Sequence, residues 1–138
     1  MPPPQMTIMN APSREYCVAR RERTNTPLQA LLLLNEPEYL KAASSLASII
    51  LKGSKKSDEE KIKVAYERVT CKLADKGELE SLKELLDDMR KAYTEDKNLT
   101  QQMAANLKFS KDSDHTELAS WTMLINTLYN LDITKNRE

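Results

Sequence analysis

The sequence predicts an all-α domain: an irregular bundle of five or six helices behind an extended, proline-rich N-terminal segment. Three observations carry this. The 138 residues include only two glycines and one phenylalanine, while Leu, Ala, Lys and Glu are frequent, a composition that favours helix over sheet. From Thr26 onward apolar residues return every three or four positions, the period of an amphipathic helix rather than the alternation of a strand. Several of these runs also begin with a hydroxyl or carboxylate residue followed three positions later by Glu or Gln, the signature of a capping box.

Residues 1–25 lack a helical period, and Pro2, Pro3, Pro4 and Pro12 oppose regular structure there. Met6-Thr7-Ile8-Met9 reads as a short extended segment. The helical domain spans residues 26–131, and residues 132–138 form a C-terminal tail. Thr26 is the first N-cap, with Pro27 at the first helical position and Gln29 completing the box. This helix is apolar nearly all round through Leu31-Leu32-Leu33-Leu34, so it is expected to be central and buried. Asn35-Glu36-Pro37 stops it and starts the next, whose stripe is Tyr39/Leu40, Ala43, Leu46/Ala47 and Ile50, ended by Gly53. Ser57 to Glu60 caps a third helix, with Ile62, Ala65/Tyr66, Val69 and Leu73 on its stripe. Asp75 to Glu78 caps a fourth, carrying Leu79, Leu82, Leu85/Leu86, Met89 and Tyr93. A shorter helix follows around Leu99 to Leu107, then a polar loop from Lys108 to Ser113. The last helix aligns Leu118, Trp121, Leu124/Ile125, Leu128 and Leu131. These stripes are too broad for a two-stranded coiled-coil seam, and the short loops make successive helices neighbours.

Composition removes several function classes. Lys+Arg and Asp+Glu are both 21, without the basic excess by which proteins neutralise phosphate, so no nucleic-acid partner is expected. The longest strongly apolar run, Ala30 to Leu34, is too short to span a bilayer. The start shows no secretion signal. Cys17 and Cys71 have no ligand spacing and His115 is the single histidine, so no metal or covalent haem is expected. The two thiols read as separate and buried. The acid pairs Glu59/Glu60, Asp87/Asp88 and Glu95/Asp96 fall on polar faces or helix starts, where they serve solvation and the helix dipole. No Gly-x-Ser-x-Gly elbow and no glycine-rich phosphate loop is present. Trp121 sits on an apolar stripe and reads as core. No catalytic residue and no cofactor is assigned.

One segment stands apart, Arg14 to Gln29. It places Arg14, Arg20, Arg21 and Arg23 just before a helix start, with Thr24, Thr26 and Gln29 adding polar groups. Guanidinium forks beside free backbone N–H groups suit a small anion such as a carboxylate, sulfate or phosphate. The candidate anion site is therefore Arg20, Arg21, Arg23, Thr24, Thr26 and Gln29. The same arginines can instead pair with Glu15, Glu22 and other acids as a structural network.

The run Asn10-Ala11-Pro12-Ser13-Arg14-Glu15-Tyr16-Cys17, then Arg20-Arg21 and Thr24-Asn25-Thr26-Pro27-Leu28-Gln29-Ala30-Leu31, with Leu34-Asn35, resembles a family signature. It is that of the carboxy-terminal domain of unknown function 1553 of planctomycete-type proteins. The likeness continues through Ala65 to Thr70 and from Trp121 to the ending Asn130 to Lys135. Two positions depart from it: the family usually has aspartate at Asn10 and glycine at Cys71, while Cys17 occupies the family's cysteine position. The resemblance is to the final part of a longer domain, so the chain is expected to begin inside the family's sequence. It implies an extracytoplasmic, multi-domain setting associated with c-type cytochrome modules, and no established reaction. The expected function is a non-catalytic interaction or structural module. The rivals are a part of an enzyme site completed by upstream residues, or a binder of anionic ligands. The expected partners are other protein domains or a second copy, through an apolar patch left uncovered.

Overall fold

The computed structural model describes residues 3–11, 17, 24–53, 57–110 and 113–135. Of these, 80% are helical and none lies in a strand. The helices are α1 (Pro4–Ile8), α2 (Pro27–Asn35), α3 (Pro37–Lys52), α4 (Asp58–Thr70), α5 (Lys76–Glu95), α6 (Lys97–Leu107), α7 (His115–Asn130) and α8 (Asp132–Lys135). The fold is the all-α bundle that the sequence predicts, with six helices of appreciable length. Met6 to Ile8 differ from the expected extended form. Pro3 and Pro4 supply the fixed φ of a helix start, and α1 makes a single turn there. The expected tail likewise carries one helical turn, α8.

All three predicted capping boxes form, at Thr26/Gln29, Ser57/Glu60 and Asp75/Glu78. Asp96 and Asp114 cap α6 and α7, each carboxylate accepting two backbone N–H bonds. Such caps contribute about 1 kcal/mol each. Gly53 ends α3 in the ordinary right-handed region rather than the left-handed one. Cys71 holds the left-handed conformation instead, at φ 59° after α4. That is a backbone position glycine takes without penalty. The early end of α4 at Thr70 throws Leu73 off the expected stripe, and it is 82% exposed.

The centre of the bundle is α7, not α2. Its buried residues include Leu118, Trp121, Leu124, Ile125 and Leu128, and α3, α5, α2, α6 and α4 all pack on it. The core gathers Ala43, Ala47 and Ile50 of α3, Ile62, Ala65 and Tyr66 of α4, and Leu82 and Leu86 of α5 around Trp121. Buried hydroxyls on α7 return to its own backbone: Ser120 to the Thr116 carbonyl at 2.8 Å and Thr122 to that of Leu118 at 2.6 Å. Helix α2, expected to be central, is peripheral. Only Gln29 and Leu33 of its nine residues are buried.

Candidate functional site

Helix α2 is held to the bundle along one side by polar contacts. At its C-terminal end Asn126 of α7 donates from Nδ2 to the Leu34 carbonyl at 3.2 Å. Before its start, Asn25 donates to Asp132 Oδ1 at 2.7 Å and accepts from Lys135 Nζ at 2.6 Å, which fastens it to α8. Between them lies Gln29, 4% exposed. Its amide Nε2 donates to the Ile8 carbonyl at 2.9 Å and to Thr24 Oγ1 at 2.8 Å, while its oxygen accepts the Thr26 N–H at 3.1 Å. Thr24 Oγ1 also accepts from Asn10 Nδ2. Thr26 Oγ1 accepts the Gln29 N–H at 3.3 Å.

The structure thus brings together three of the six candidate anion-site residues, Thr24, Thr26 and Gln29, and engages them with one another. Arg14, Arg20, Arg21 and Arg23 lie outside the described residues. The contacts made by Thr24, Thr26 and Gln29 are those of a clasp joining α1 to the start of α2.

With its inner side fastened, α2 turns its other side outward. Leu28, Leu31 and Leu34 are 55%, 58% and 40% exposed. Their three-residue spacing keeps them on one stripe. Helix α2 contains no charged residue, and the polar group beside the stripe is Asn35 at its end, exposed and donating to the Leu31 carbonyl at 2.9 Å. Met6 on the adjoining α1 is also about half exposed. Scattered apolar side chains on a surface are ordinary, but a run of leucines on one uncharged helix face is not.

The strongest electrostatic feature among the described residues joins α4, α5 and α7. Arg90 of α5 donates from Nε to Glu117 Oε2 at 2.9 Å, from Nη2 to Glu117 Oε1, and from Nη1 to Asp58 Oδ2 at 2.7 Å. Trp121 Nε1 donates to the same Glu117 Oε1 at 2.8 Å. The hydrogen bond from Arg90 holds the Asp58 carboxyl below the usual range, against an opposing effect of burial. The guanidinium itself is held charged, its pKa pushed up first by the bond to Glu117. Every carboxylate here has a partner, which makes this an ion-pair network tying three helices. Tyr66 donates to Glu78 Oε1 at 2.6 Å, and burial, then that contact, push its phenol up to about 12.

Two shallow grooves lie among the described residues. One, about 390 Å³, lies between Ser48, Leu51 and Lys52 of α3 and the start of α7. The other, about 420 Å³, lies beside Tyr66, Asp75 and Glu78. In both, the carboxylates serve helix caps or the Arg90 and Tyr66 contacts. Cys17 and Cys71 are free and exposed, separate as expected but not buried. Among the described residues no group of three or more His, Cys, Asp or Glu side chains could hold a metal ion. Nor is any helix there long and apolar enough to cross a membrane.

Fold and surface together define an all-α domain in which, among the described residues, the carboxylates of the two grooves serve caps and ion pairs and one face of α2 exposes three leucines. The chain belongs to the family described as Protein of unknown function (DUF1553), whose model matches residues 1–86. The matched stretch includes the clasp and α2, while the ending from Trp121 to Lys135 lies beyond it. No curated protein and no solved structure matches the chain.

Proposed function

We propose that the chain is a non-catalytic helical interaction module, the carboxy-terminal part of a larger extracytoplasmic protein, and that it docks through the outward face of α2. The observation that carries this reading is the stripe Leu28, Leu31 and Leu34 on a helix without charge. Covering such side chains is favourable by about 25 cal/mol per Å² of apolar surface, and the clasp presents them on a fixed helix rather than a loop. The partner is another protein domain or a second copy. The anion-site reading ranks below it, because the Thr24 and Thr26 hydroxyls and the Gln29 amide are already engaged.

A photo-crosslinking residue placed at Leu31, in the cells that make the protein, tests the reading. A control at Lys91, an exposed position on α5, sets the background. The expected result is a discrete covalent adduct from position 31 and none from position 91. No adduct at 31, or the same smear from both, would overturn it.

A further inference from the structure

We propose that the seam between α2 and α7 binds internal water, with one molecule bridging the side chains of Asn126 and Asn130. Both asparagines belong to α7. Their spacing of four residues sets them on one side of the helix, with about 5–6 Å between their Cβ atoms. That side meets α2, since Asn126 donates from Nδ2 to the Leu34 carbonyl at 3.2 Å. Asn126 has no exposed surface. Its Oδ1, and both Nδ2 and Oδ1 of Asn130, are shielded from solvent and meet no hydrogen-bonding group among the described residues. Buried amide groups are almost always hydrogen-bonded, either to protein or to ordered water. The polar side chains of the adjoining elements are committed elsewhere. The hydroxyls of Ser120, Thr122 and Thr127 donate to the α7 backbone, and that of Thr134 in α8 donates to the Leu128 carbonyl. On the α2 side, Gln29 uses its Nε2 on the Ile8 carbonyl and Thr24. The atoms left over are two acceptors and one donor, all uncharged. Water suits such a set, because it both gives and accepts hydrogen bonds. A hard cation calls for six or so oxygens, carboxylates among them, and an anion calls for several charged donors. In the bridge, water donates to Asn126 Oδ1 and accepts from Asn130 Nδ2, and a second molecule donates to Asn130 Oδ1. Two hydrogen bonds of about 2.9 Å through one oxygen suit the distance of one helical turn. The water completes the polar grip of α7 on α2, and it stands whatever docks on the outer face.

Nuclear Overhauser spectra between water and the full, isotopically labelled chain test this, recorded in both the laboratory and the rotating frame. The side-chain amide protons of Asn126 and Asn130 should show water cross-peaks of opposite sign in the two frames, the mark of a long-lived bound molecule. Proton exchange with solvent gives equal signs instead. Gln29 is the internal reference, being 4% exposed with its amide nitrogen already bonded to two protein acceptors. It should show no such cross-peak. Asn130→Leu should lose the water cross-peak at Asn126, while the Asn126 bond to Leu34 still holds α2 in place. Absence of a water cross-peak at both asparagines of the wild-type chain overturns the proposal, and that result needs no variant to fold. A direct cross-peak between the two amides in place of the water signal also overturns it, because the pair is then closed within the protein. An equal water signal at Gln29 overturns it by showing a seam open to solvent throughout. A signal at Asn126 that survives in folded Asn130→Leu overturns the bridge.

Discussion

Replacing Trp121 by alanine should lower the unfolding free energy by about 3–5 kcal/mol, the usual cost of emptying a large aromatic site in a core. The indole has no exposed surface, and residues of α3, α4 and α5 surround it in the core. Its Nε1–H is also committed, to Glu117 Oε1 at 2.8 Å. Truncation opens a void between helices that cannot collapse together, and it removes one donor from a half-buried carboxylate. Domains of this kind are stable by about 5–15 kcal/mol, so the variant should stand near the edge of folding. Trp121→Phe separates the two contributions. It keeps most of the volume and loses the N–H, and should cost about 1–2 kcal/mol. Urea denaturation followed by circular dichroism measures both, since the chain's one tryptophan is the residue removed. A loss below about 1 kcal/mol for the alanine variant would mean that α7 is not the centre of the bundle.

Arg90→Met should cost about 2 kcal/mol and change how the fold responds to acid. One guanidinium joins Asp58, the first residue of α4, to Glu117 in the first turn of α7, from a position on α5. Hydrogen bonds to charged groups contribute about 1.5–3 kcal/mol. The Arg90 side chain is 27% exposed, so water moderates the loss and the lower part of that range applies. The sign of the acid response follows from Asp58. Its carboxyl is held lower in the folded chain than in the unfolded one, first by the bond from Arg90. Its contribution is therefore complete above about pH 4 and disappears as pH falls through the depressed value. Methionine removes the cause, so the difference between wild type and variant should shrink toward acid pH. Denaturation midpoints between about pH 5 and pH 2 would read this. A constant difference across that range would contradict the assignment of Asp58.

The local rules of the chain were readable from sequence because they act within four residues. Thr26 with Gln29, Ser57 with Glu60 and Asp75 with Glu78 carry the boxes in their spacing, and the stripes of α3 to α5 follow from their period. Burial was not readable in the same way. Helix α2 looks central because it is apolar all round, yet short elements packed on one side leave such a helix half bare. Helix α7 looks merely amphipathic because Ser120, Thr122 and Asn126 interrupt it, yet the two hydroxyls satisfy themselves within the helix. Which helix takes the centre depends on length and on how many neighbours surround it, and no single stripe encodes that. The Arg90 network was missed for a related reason, since its partners lie 27 and 32 residues away. Leu73 followed the period but fell beyond a helix that Cys71 closes in a left-handed turn. Of the candidate site, Gln29 makes the contacts of a clasp among the described residues. The arginines before it fall outside the described residues.

The central claim, that α2 is a surface helix with one face bare, is tested most directly inside that helix. Leu31→Ala and Leu33→Ala remove the same atoms two residues apart, where the side chains are 58% and 5% exposed. Measured at low protein concentration, so that association does not contribute, Leu33→Ala should cost about 2–5 kcal/mol. Leu31→Ala should stay within about 0.5 kcal/mol of wild type. Losses of equal, large size at both positions would contradict the account, because they would place the whole of α2 inside the core.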